Sequence, residues 1–355
     1  MSRTLIRGVL AVAVWAGLWT GGGGAAWGLT IYRIGGAELP PPELTQEEGV
    51  TFVQMNWADV DGNKHGEIDQ LDFASGYITP VELDSTVNLT PLLEERGGQI
   101  LTLDWTSWKK YIEEDISIFD GDSTTAYLGD GHFASHGPPH KDYIFDFGGR
   151  FLIERIKIFP RERFMADRFI ESFIIGSSDG DPLKDGARDY LVGTRGSYYD
   201  FNIVYDITEN TQSLIDLRMP EEPIHSLLFQ APENNRGIWE IAEFEIYGVG
   251  YAPEARYVSN IIDLGGVASL GALNWFGMTD AGAKVALTMR SGDDDGPNIY
   301  WRRTFRGDEI SRFDEKGKGL TLATYEKLSR GQKAGITHDT ENWDFWSPAY
   351  DFSSA

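Results

Sequence analysis

The strongest constraint on this chain is a succession of short apolar segments with a period of two, each cut off by a turn signal. Phe151-Leu152-Ile153-Glu154-Arg155-Ile156-Lys157-Ile158-Phe159 mixes apolar and polar residues in this way and stops at Pro160. A period of two sends alternate side chains to opposite faces of an extended strand, so one face is buried and the other is wet. Tyr143-Ile144-Phe145-Asp146-Phe147 reads as a strand closed by a Gly148-Gly149 turn. Residues 169–175 form another, closed by Ser177-Ser178-Asp179-Gly180. Residues 203–207, 213–217 and 224–229 supply further strands, and 238–247 alternates until Gly248. Many short strands with turns between them predict an all-β antiparallel sandwich or barrel. Only residues 105–118 read as a brief helix.

The chain has no Cys, so disulfides, a thiol nucleophile and Cys-bound zinc are all excluded. Its formal charge of −24 repels nucleic acid and anionic lipid and favours bound cations, calcium above all. The same acidity serves equally to keep an exported protein soluble. Export is written at the N-terminus. Arg3 and Arg7 accompany an uncharged apolar run over residues 9–19, glycines 21–24 break it, and Ala26-Trp27-Gly28 offers a small-x-small cleavage pattern. The expectation is a cleaved signal peptide over residues 1–28 and a secreted or extracytoplasmic mature chain without a membrane span. The run is short for a bilayer helix, and an uncleaved anchor is the alternative. Residues 29–75, with Pro40-Pro41-Pro42 and Gln46-Glu47-Glu48, read as an extended lead-in. Ala252-Pro253-Glu254 reads as a linker to a second β-rich domain over 255–355. No capping strand follows Trp343-Asp344-Phe345-Trp346-Ser347-Pro348, so this domain reads as incomplete and the chain as the front of a longer protein.

The middle of the chain carries a family pattern. Asp120-Gly121-Asp122-Ser123-Thr124-Thr125-Ala126-Tyr127 resembles the opening turn of discoidin domains, also called coagulation-factor C-type domains. Ile144-Phe145-Asp146-Phe147-Gly148 and Ile153-Glu154-Arg155-Ile156-Lys157-Ile158 resemble two of their successive strands. Phe173-Ile174-Ile175-Gly176-Ser177-Ser178-Asp179-Gly180 is similar to their hairpin, and Ile241-Ala242-Glu243-Phe244-Glu245-Ile246-Tyr247-Gly248 to their closing strand. The five pieces stand in order between Asp120 and Gly248, and the resemblance covers residues 76–250. The resemblance implies a galactose-binding-like jelly-roll sandwich that binds sugars, phospholipid heads or proteins through loops at one end and does no chemistry. It also implies a structural Ca²⁺ held by Asp120, Asp122, Thr125 and Glu243. A hard cation wants six or more oxygens, which carboxylates and turn carbonyls supply together. The alternative is that Asp120-Gly121-Asp122 is a hydrogen-bonded turn and nothing more.

Other groupings are weighed on their chemistry. Trp239 follows Asn234-Asn235-Arg236-Gly237, and a flat aromatic beside Asn235 and Arg236 suits sugar stacking with directed hydrogen bonds. Trp239 is equally a core residue at the start of a strand. His132, His136 and His140 recur every four residues, but Gly131, Gly137, Pro138 and Pro139 preclude a helix that would align them on zinc. They are read as a polar loop, with His132 or His136 reaching a sugar as the functional alternative. Arg161 and Arg163 stand either at the same loop end or as solvated charges. Gly176-Ser177-Ser178-Asp179-Gly180 fits a hydrolase G-x-S-x-G, yet turn residues follow where a helix is required. Asp59-Val60-Asp61-Gly62-Asn63 starts like a calcium loop but has Lys64 and Gln70 where Gly and Glu are needed. Asp293-Asp294-Asp295-Gly296-Pro297 reads as a turn, with calcium as its alternative. The expected function is a secreted, non-catalytic module for carbohydrate or a cell-surface glycan, with a protein as a second class of partner. The alternatives are a structural or assembly protein using sandwiches as spacers or docks, and an accessory region of a polysaccharide-active enzyme.

Overall fold

The computed structural model describes residues 6–17, 27–36, 49–58, 66–74, 76–104, 107–110, 113–130, 141–180, 190–194, 197–231, 238–279, 282–329 and 332–351. The chain divides into two compact units. One is the continuous stretch Val81–Glu254, and the other combines Met1–Pro80 with Ala255–Ala355.

The Val81–Glu254 unit is an antiparallel β-sandwich built on one long strand, Lys141–Phe159. Its first half pairs with Pro223–Ala231 on one side and Gln99–Asp104 on the other. Its second half pairs with Ile215–Arg218 and Glu243–Gly248. One strand therefore serves both layers, and two irregularities let it pass between them. The first lies between Asp146 and Phe151. Gly148 there has φ +71°, its amide donates to Asp146 Oδ1 at 2.9 Å, and an added Cβ would meet the Gly97 backbone at 2.7 Å. Gly148-Gly149, expected to end a strand, instead forms a kink inside it, because only glycine fits this backbone and this approach. The second irregularity lies between Ile153 and Arg155. Glu154 and Arg155 are both exposed, which shifts the phase so that Ile153 and Ile156 both point inward.

The layers meet through aromatic rings. Phe145 stacks on Phe244 at 4.6 Å, and Phe229 meets Phe244 edge-on at 5.2 Å. All three are fully buried, with Tyr143, Ile156, Phe173 and Ile175 around them. The expected strand over 238–247 breaks at Ala242 into Ile238–Ile241 and Glu243–Gly248. The Ala242 amide donates to Phe159 O at 2.9 Å, and the two halves join different partners. Where a brief helix was expected, Ser107–Lys110 is a strand and Glu113–Ile118 a 3₁₀ turn.

The other unit carries a six-stranded sheet in which Ile6–Gly17 lies between Trp27–Ile34 and Ala268–Thr279. The apolar run read as an export signal is a strand in this structure, as its valines favour. Arg256–Val258 pairs with Glu67–Asp69, so the lead-in and the C-terminal segment form one unit and not two. Its core gathers Ile34, Trp57 and Ile78, with Tyr257 set edge-on to Trp57 at 5.0 Å. Among the described residues no helix is long and apolar enough to cross a membrane.

Candidate functional site

The opening turn and the closing strand meet at Glu243. Within the turn, the Asp122 amide donates to Asp120 Oδ1 at 2.8 Å. Thr124 donates its amide and hydroxyl to Asp122 Oδ1 at 2.9 and 2.7 Å. Thr125 Oγ1 donates to Asp120 Oδ2 at 2.9 Å and reaches Asp122 O at 3.0 Å. The Thr124 bonds hold the Asp122 carboxyl below the usual carboxylate range. Glu243 opens the closing strand and is 2% exposed. Neither of its carboxylate oxygens makes a hydrogen bond of ordinary geometry, although the Asp120 carboxyl and the Gly121 amide lie beside it. Burial pushes its pKa up to about 8, and the neighbouring Asp120 adds to the rise. A buried carboxylate without such bonds costs several kcal/mol in general, so its retention calls for compensation.

Of the four residues expected to hold a cation, one pair lies side by side and the other two are linked to it through the turn. Asp120 reaches Glu243, and Asp122 and Thr125 are tied to Asp120 by the turn. Among the described residues no three His, Cys, Asp or Glu side chains converge. The residues expected to hold the ion, Asp120, Asp122, Thr125 and Glu243, offer three carboxylates and a hydroxyl. That all-oxygen set, with a buried carboxylate in it, fits a hard cation and not zinc.

This place is the base of a two-stranded ribbon. Tyr127–Asp130 pairs with Ile238–Ile241, Tyr127 lying opposite Ile241 and Asp130 opposite Ile238. Thr125 stands two residues before the ribbon and Glu243 two residues after it. At the far end, segments 131–140 and 232–237 both run between the Asp130/Ile238 pair and the Lys141/Ala231 pair. His132, His136, Asn235 and Arg236 fall in these two segments and lie outside the described residues. Their attachment points are nonetheless neighbours by register.

Trp239 does not stand at a surface. It is 5% exposed and packs in the core against Tyr127 at 5.9 Å, because the ribbon turns this side inward. Sugar stacking by Trp239 is therefore corrected to the core role. Arg161 is committed to Glu240, its Nε and Nη2 donating to the two carboxylate oxygens at 3.1 and 2.8 Å. Arg168 Nη1 adds a bond at 3.4 Å. Glu240 is desolvated, yet the Arg161 bonds outweigh this and hold its pKa low. Arg161, Arg163 and Arg168 also lie over the Phe164 ring at 5.0, 4.6 and 3.6 Å. Leu128 lies opposite Glu240 in the ribbon and is half exposed, as is Ile238. Glu240 was missed in the sequence. Its signal was a lone glutamate inside an otherwise apolar strand, Ile238-Trp239-Glu240-Ile241.

The remaining motifs resolve as follows. Ser178 ends the strand Phe173–Ser178, and its Oγ accepts the Gly180 amide at 3.2 Å, a turn bond. Asp294 Oδ1 accepts from Gly296 N and from Trp343 Nε1 at 2.9 and 2.8 Å. Residues 59–63 lie outside the described residues.

No protein-family model matches the chain, and no curated protein matches it. Several solved structures are similar to part of it. Chitosan-binding module 1 of a chitosanase/glucanase from Paenibacillus sp. IK-5 is 16% identical over 45% of this chain and 98% of that one, with a TM-score of 0.29. CBM32-3 of a family 31 glycoside hydrolase from Clostridium perfringens is 12% identical over 44% and 93%, with a TM-score of 0.27. A Ruminococcus gnavus GH29 fucosidase is 12% identical over 46% of this chain and 27% of that one, with a TM-score of 0.32. The sandwich described above rests on its own strand order and burial.

Proposed function

We propose that Val81–Glu254 is a non-catalytic carbohydrate-binding module of an exported protein, with Ca²⁺ supporting its binding loops. The observation that carries the Ca²⁺ is the buried Glu243, which lacks a hydrogen bond of ordinary geometry and lies beside Asp120 at the ribbon base. Asp120, Asp122, Thr125 and Glu243 are the residues that would hold the ion. A bound hard cation supplies the positive charge that lets Glu243 stay ionised within the sandwich. Ionised Glu243 then ties the strand that leaves the ribbon to the turn that enters it. Both strands of the ribbon are fixed at their base, where Tyr127 lies opposite Ile241, and His132, His136, Asn235 and Arg236 are the residues proposed to meet the sugar. Arg161 and Arg168, locked on Glu240, stiffen one strand of the ribbon. Carbohydrate as the ligand rests on the discoidin-like motifs, and export rests on the N-terminal run.

A glycan array probed with the full chain, with calcium and then with chelator, tests this reading. Binding to neutral glycans that disappears in chelator and returns with calcium is expected. Silence on every glycan would remove carbohydrate as the ligand.

A further inference from the structure

In the unit formed by Met1–Pro80 and Ala255–Ala355, Arg290 is half-buried against two indoles. Its guanidinium carbon lies 4.7 Å from the Trp346 ring centre and 5.3 Å from that of Trp343. Its hydrogen bonds leave from one edge. Nη1 donates to Pro297 O at 3.2 Å and lies 3.2 Å from His338 Nδ1, while Nη2 reaches Asn298 Oδ1 at 3.4 Å. All of these partners are neutral acceptors when His338 is unprotonated. Among the described residues no carboxylate pairs with Arg290, in a chain whose formal charge is −24. Desolvation is the one influence that displaces its pKa, downward, and a guanidinium remains charged through such a shift.

Two other arginines of this chain display what the opposite edge does when a carboxylate is present. Arg155 lays Nε and Nη2 on Asp216, and Arg161 lays Nε and Nη2 on Glu240. Arg290 keeps Nε and one Nη2 hydrogen uncommitted among the described residues. Stacking occupies the face of a guanidinium and leaves its in-plane edge for bidentate recognition. The frame around it is fixed. Trp343 Nε1 donates to Asp294 at 2.8 Å, and its ring lies on Gly292, where an added Cβ would fall 2.2 Å from it. Backbone bonds from Asp344 to Ser291 O and from Ser347 to Met289 O, both 2.8 Å, hold residues 343–347 in place. Between the two tryptophans stands Phe345, 80% exposed.

We propose that Arg290, Trp343, Trp346 and Phe345 form a second carbohydrate site that takes an acidic sugar, a hexuronate, through its carboxylate. The Nε/Nη2 edge receives the carboxylate side-on, and the exposed Phe345 offers an apolar face to the pyranose ring. Negative charge over the whole chain opposes long polyanions, and salt near 0.15 M screens that repulsion beyond about 8 Å, so short acidic oligomers are the fitting ligand.

The test is calorimetry of the full chain with short oligogalacturonate and with its methyl ester, in chelator throughout so that the cation site plays no part. The acid binds, and the ester binds at least about tenfold more weakly, since it loses a charge-assisted bidentate contact. Arg290→Gln and Arg290→Lys each weaken the acid by about tenfold or more, the second because it keeps the charge but loses the fork. Phe345→Ala weakens it severalfold and touches no buried group. Equal binding of acid and ester, no binding of the acid, or unchanged binding by a natively folded Arg290 variant each overturns the site. If Arg290→Gln does not fold, Arg290→Lys and Phe345→Ala decide.

Discussion

Glu240 and Glu243 are buried in one short stretch and shifted in opposite directions. Glu240 is held low by Arg161, so its contribution to stability is present above the ordinary carboxylate range and is lost as acid protonates it. Glu243, with a pKa near 8 in the folded chain against 4.5 as its reference, behaves conversely. The stability gained from its protonated form is complete below the reference value and is lost as pH rises through about 8. In chelator the melting temperature should therefore fall between pH 5 and pH 8. Calcium should restore it at pH 8 and have little effect at pH 5, where protons compete for the same carboxylate. Differential scanning calorimetry across that range checks this, and a flat profile in chelator contradicts it. Glu240→Gln removes the counter-charge of two partly exposed arginines and should cost about 2 kcal/mol in urea unfolding, less than a fully buried pair would. At this scale the sequence was legible where a charged residue sat in a motif, as Glu243 did. It was silent on whether Trp239 faced in or out, because that depends on which face of a distant ribbon is covered.

At the scale of elements, the Lys141–Phe159 strand decides the architecture. Its apolar and polar residues were readable, but the meaning of Gly148-Gly149 was not. A turn and a kink use the same residues, and only the backbone of residues 97–98 on the neighbouring segment distinguishes them. Gly148→Ala should cost at least about 2 kcal/mol, from its positive φ together with the clash on Gly97. Gly97→Ala is the control. Gly97 also has positive φ, but nothing lies within 4 Å of an added Cβ, so the cost should stay at about 1 kcal/mol. Equal losses in chemical denaturation would mean that the close approach does not matter. The phase shift at Glu154-Arg155, by contrast, was written in the sequence as two successive polar residues.

At the scale of the molecule, the sandwich closes on itself. Glu82–Leu83 pairs with Gly250–Tyr251, and the Ala252 amide donates to Val81 O at 2.9 Å, so the ends of Val81–Glu254 are joined. Expressed alone, this segment should fold cooperatively and keep the calcium response of the full chain. A segment that lacks near-ultraviolet dichroism would contradict its autonomy. The partnership of the N-terminal and C-terminal segments was not legible. Ile6–Gly17 meets Ala268–Thr279 across most of the chain, and local periodicity carries no record of such distant pairing. The Ca²⁺ proposed at the ribbon base is the central point to test. The deciding measurement is a calcium titration of the full chain and of Glu243→Gln at pH 7.5, followed by heat and by melting temperature. Saturable binding that raises the melting temperature of the native chain, and is lost or greatly weakened in Glu243→Gln, is the predicted result. A native chain that melts at one temperature with calcium and with chelator would contradict it.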